Sequence, residues 1–246
     1  MKTLIDPTAA DKIEAAHPRL KAGCWGGTHT VCMMSALVRG AGGIQDCVTA
    51  GWPEWLVKLN VWMFDVYVGA ECEETARYQF ALDVAYAVQV PRDYDKARDL
   101  FLIATLDRAK KHDTAGLCQH VIGLLHRRIA GQDVAGAMTA AFYAAIDAAV
   151  AYPAANASTS SAAFSARAAA FSAHAAAYAA AYAAADNTIL EAYASTYNAA
   201  RAARAAYASA ANASAAYAAA YAARAAARAA ANAALRQNLI AALNAA

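Results

Sequence analysis

The sequence predicts an all-α protein: a compact helical head followed by long alanine-rich helices packed as an antiparallel bundle or hairpin. Three observations carry this. From Ala135 to Ala246 just over half of the residues are alanine, which loses no side-chain entropy on entering a helix, and after Pro153 no proline interrupts the tract. In the first part, apolar residues recur at spacings of three and four, most clearly Trp55, Leu56, Leu59, Trp62, Met63 and Val66. No stretch alternates convincingly with the period of two that marks a half-buried strand. The composition shifts near Gly131, so the 246 residues divide into a head over 1–131 and an alanine-rich region over 132–246.

The elements follow in order. Asp6 before Pro7 starts a short helix over Thr8 to Ala16, which ends at His17-Pro18. After the glycine-bearing loop Gly23-Cys24-Trp25-Gly26-Gly27, Thr28 or Thr30 caps a helix through Val38 that is closed by Gly40, Gly42 and Gly43. Val31, Cys32, Met33, Met34, Ala36, Leu37 and Val38 make it apolar nearly all round, which places it at the centre of the head. Ile44 to Ala50 is a short helix stopped at Gly51, and Pro53 begins the next. Glu71, Glu73 and Glu74 sit at the positive end of the following helix, which carries Phe80, Val84 and Val88 and stops before Pro91. A helix over Asp93 to Lys111 turns Leu100, Ile103 and Leu106 inward, and another spans Thr114 to Ile129.

In the tract, Pro153 with Ser158, Thr159, Ser160 and Ser161 marks a stop and restart. Asp186, Asn187 and Thr188 offer a second turn, after which a helix reaches the 230s and ends in a larger apolar plug of Leu235, Leu239, Ile240 and Leu243. Without that second turn, Phe164, Phe171, Tyr178, Tyr182, Ile189, Tyr193 and Tyr207 form one stripe. The opposite side is then almost all alanine. Methyl-sized faces let helix backbones approach closely, so the expectation is alanine facing alanine, with the rings at the boundary.

Composition excludes several classes. A net charge of +2 gives little drive toward nucleic acid or anionic lipid. The apolar run around Trp52 to Val68 carries Glu54, Lys58, Asn60 and Asp65, which argues against a spanning helix. Met1 to Lys21 is polar and charged, unlike a secretion signal, and the five cysteines lack framework spacing. Reduced thiols in a cytoplasm are expected.

Candidate chemistry is sparse. Cys24, His29 and Cys32 are of zinc-ligand type, yet a structural site takes four ligands and would have to recruit Cys47 or His17. The plainer reading is buried cysteines acting as small hydrophobes. Gly23, Gly26 and Gly27 lack the Gly-Lys-Ser/Thr of a phosphate loop. Cys118, His120 and His126 share a helix, but the two histidines point to different faces. Asp93, Asp95 and Asp99 are charges in and before the first turns of a helix. Trp25 and Trp52, in loops, are the tryptophans expected at the surface. In the tract, six arginines against Asp147, Asp186 and Glu191 leave +3, too little for strong phosphate neutralisation.

The segment Gly23-Cys-Trp-Gly-Gly-Thr-His-Thr-Val-Cys-Met-Met-Ser-Ala-Leu-Val, with Asp46-Cys47-Val48 and Gly51-Trp-Pro-Glu-Trp-Leu, resembles a group of uncharacterised proteins from bacteriophages and their bacterial hosts. In that group a compact head with a Gly-Trp-x-x-Trp-Leu element precedes alanine-rich helical repeats, and some members carry an immunity-protein label. The resemblance spans about Gly23 to Ile129. It implies a phage or prophage source and supplies no catalytic residue.

The expected function is therefore a non-enzymatic helical interaction or scaffold protein in the host cytoplasm, self-associating or binding a protein partner. No cofactor, metal, membrane or nucleic acid is expected. Trp25, Trp52, Tyr178, Tyr182, Arg201 and Arg204 are the interface candidates. The alternatives are a metal-dependent binder or enzyme using the Cys24/His29/Cys32 loop, and a weak nucleic-acid binder using the Tyr/Arg-bearing tail.

Overall fold

The structure, a computed structural model, describes residues 6–20, 32–64, 74–110, 113, 116–151 and 233–246. Every regular element among them is helical. In chain order these are α1 (Ala9–Ala16), a 3-10 turn (His17–Arg19), α2 (Met33–Leu37), α3 (Ile44–Thr49), α4 (Glu54–Trp62), α5 (Glu74–Ala87), α6 (Tyr94–Ala109), α7 (Leu117–Ile129), α8 (Ala135–Ala151) and α9 (233–245). The chain groups into two compact units, Met1–Phe101 with Asn232–Ala246, and Leu102–Ala231. This division falls at different places from the change in composition at 131/132, because the C-terminal residues group with the N-terminal ones.

The first unit is fastened at its helix ends. The Asp6 carboxylate accepts from Thr8 N and Oγ1 (3.2 and 2.9 Å) and from Lys12 Nζ (2.7 Å), anchoring the start of α1. The Asp6 N–H donates to Val88 O, tying that start to the end of α5. Lys12 Nζ also donates to Leu37 O, the last carbonyl of α2, at 3.2 Å. A cation there meets the orphan acceptors and the negative end of the helix.

Two sequence expectations shift here. The short apolar helix opens at Met33, not after Thr28 or Thr30, because Cys32 Sγ takes the capping role and accepts from Ser35 N at 3.4 Å. Its burial is as expected, with Met33, Met34 and Leu37 at 2 % exposure or less. On α6 the buried apolar positions are Tyr94, Ala97, Phe101, Leu102 and Leu106, joined by Asp99 and Thr105, while Leu100 and Ile103 are half-buried. The inward face is rotated relative to the expectation, because Tyr94, Ala97 and Phe101 share it with Leu102 and Leu106 while Leu100 and Ile103 fall to its edges.

Phe80, Val84 and Val88 form the buried stripe of α5, as their spacing predicts. The plug at the chain end is also buried: Leu235, Leu239 and Leu243 sit in the first unit, with Ile240 half-buried. The Arg236 guanidinium lies 5.7 Å from the Phe80 ring centroid. Arg92 donates from Nε to Ala87 O (3.2 Å) and from Nη1 and Nη2 to Asn244 O and Oδ1 (2.9 and 3.3 Å). One guanidinium thus serves the C-terminal ends of α5 and α9.

In the second unit α7 packs on α8. Gly131, at φ 78°, closes α7: its N–H donates to Arg128 O while Gln132 N donates to Arg127 O, leaving few orphan carbonyls. The Asp133 carboxylate accepts from Ala135 N at the start of α8. Up to residue 145 the inward positions are Val134, just before α8, and Met138, Ala141 and Ala145 on it, at 5 % exposure or less, whereas Tyr143 is 62 % exposed. In this described part of the tract, methyl groups face the core and a ring faces water. The aromatic stripe from Phe164 to Tyr207 and the turns at Pro153 and Asp186 lie outside the described residues.

Two measurements follow from this packing. Burial raises the Asp6 pKa, but the Lys12 hydrogen bond and charge and the Thr8 bonds outweigh it and hold the carboxyl below the ordinary aspartate value. The associated stability is complete above about pH 4 and is lost as the pH falls through the folded value. Asp6→Asn should therefore lower urea stability at pH 7 by roughly 0.5–1.5 kcal/mol, with the gap to the unmodified chain closing on acidification; a gap unchanged at low pH refutes the assignment. Ala141→Leu should cost about 1–3 kcal/mol by overpacking, against less than about 0.5 kcal/mol for Tyr143→Ala at the surface. Equal thermal shifts for the two would contradict the inward seam.

Candidate functional site

Trp52 is 3 % exposed, which corrects the expectation that its loop position puts it at the surface. Gly51, at φ 99°, turns the chain at the end of α3, where Gly51 N donates to Val48 O and Trp52 N to Cys47 O (3.0 Å each). After this tight reversal the side chain is enclosed in the core, so Trp52 offers no surface to a partner. Trp25, Tyr178, Tyr182, Arg201 and Arg204 lie outside the described residues.

Of the Cys24/His29/Cys32 set, Cys32 alone is among the described residues. It is 3 % exposed, and its sulfur caps α2, with Ser35 Oγ 3.3 Å away. Cys47 is without exposure; burial pushes its thiol up to about 11, and the charges of Cys32 and Asp46 add to the rise. Cys118 is likewise enclosed, with burial, then Asp113, raising it to about 12. At neutral pH both are thiols, and the thiolate is the nucleophile and metal ligand. Among the described residues no three His, Cys, Asp or Glu side chains are grouped to hold a metal ion.

The acidic groups at the start of α6 divide. Asp93 Oδ1 accepts from Asp95 N (3.1 Å) and Lys96 N (3.0 Å), an N-cap, and Asp95 is exposed. Asp99 is not a surface charge: it is 3 % exposed, with Arg98 Nε 3.5 Å from its Oδ1. On α7, His120 and His126 are both exposed.

Sequence reasoning missed Asn60, which is without exposure on α4. Its Nδ2 lies 4.0 Å from Met34 Sδ, and its Oδ1 has no hydrogen-bond partner among the described residues. The signal was present, because Asn60 is four residues after Leu56 and three before Met63, on the inward face.

The surface feature that remains is the outward side of α8. Gly136, Thr139, Ala140, Tyr143 and Ala144 are all exposed, and none carries a charge. Phe142 meets Tyr143 edge-on at 5.3 Å. A second exposed apolar pair is Tyr86, in the last turn of α5, and Val90, just beyond it. No described helix is long and apolar enough to cross a membrane.

No protein-family model matches the chain, and no curated protein or solved structure matches it.

The thiol assignment is open to direct measurement. Native protein at neutral pH, treated with a maleimide and mapped by peptide mass spectrometry, should show Cys47 and Cys118 unlabelled until denaturant is added. Rapid native labelling of either would show an accessible thiolate where the core is closed.

Proposed function

We propose that this chain is a non-enzymatic helical interaction protein of phage or prophage origin, acting in the host cytoplasm. Its alanine-rich region forms long antiparallel helices that serve as a scaffold and self-association surface. The observation that carries this reading is the two-sidedness of α8. One side buries Ala141 and Ala145 with Val134 and Met138, and the other presents uncharged small residues with Tyr143 among them. Small residues on the outer side would let a second helix approach as closely as the inner side lets α7 approach.

The non-enzymatic part is supported by the employment of the reactive side chains in structure: Cys47 and Cys118 are protonated core residues, and Asp93 is a helix cap. The origin is supported by the resemblance of the segments around Gly23 to Val38 and Gly51 to Leu56. Tyr178, Tyr182, Arg201 and Arg204 extend the proposed surface along the tract, and Trp25 is its candidate in the head.

Light scattering over a roughly hundredfold concentration range should give a mass that rises above the monomer. Ala140→Glu, which places a charge on the outer side without touching the inner one, should weaken association about tenfold or more. A monomeric mass at every concentration for the unmodified chain would overturn the self-association reading.

A further inference from the structure

We draw no further inference here: the strongest candidate, the enclosed Asn60 side chain between α4 and α2, whose Oδ1 has no hydrogen-bond partner among the described residues, carries none, because its amide meets the Met34 sulfur at 4.0 Å and nothing in the structure shows what ligand would donate to that oxygen.

Discussion

Leu239 and Leu243 have no exposure, although they follow a long tract in which alanine predominates. A methyl group removes little area from water, whereas each enclosed leucine gains roughly 1.5–3 kcal/mol. Large apolar side chains at the end of such a tract must therefore find a core elsewhere in the chain. They are buried in the unit that groups them with the first hundred residues. The return is fastened at two points, where Arg236 lies over the Phe80 ring and where Arg92 bonds Asn244.

What positions the helices around that core is a small set of charged side chains bonded to backbone. Asp6 and Asp93 meet N–H groups at helix starts, and Lys12 and Arg92 meet carbonyls at helix ends. Each supplies partners to groups the helix itself leaves orphaned. Arg92 is the furthest-reaching, since one planar group with several fixed donors can serve two helix ends at once, which a lysine cannot.

The helices were legible because their boundaries are written in local chemistry. Asp6-Pro7, Gly51, Asp93 and Gly131 each mark a start or stop that the structure keeps to within two or three residues, and α5 ends four residues ahead of Pro91. Facing was legible where one residue type dominates a stripe, as with Phe80, Val84 and Val88, and was misread where a polar or aromatic residue shares it. Asn60 and Asp99 are buried against type, the Cys32 sulfur replaces an expected threonine cap, and Trp52 turns inward from a loop. Loop position speaks to the backbone, while the side chain follows whatever space the neighbouring helices leave. The grouping of Asn232–Ala246 with the head was not legible, because no local signal encodes which core a distant leucine will join.

The inward seam of α8 carries a further consequence. Along Val134, Met138, Ala141 and Ala145, the side chains larger than methyl both lie next to the Gly131 turn. An alanine-on-helix contact is nearly self-similar under a shift of one turn, so it does little to fix which residue opposes which. Val134 and Met138 therefore act with the Gly131 turn as the index mark of the pair, and replacing both by alanine would leave that turn and the α7 side chains to set how the two rods lie along each other.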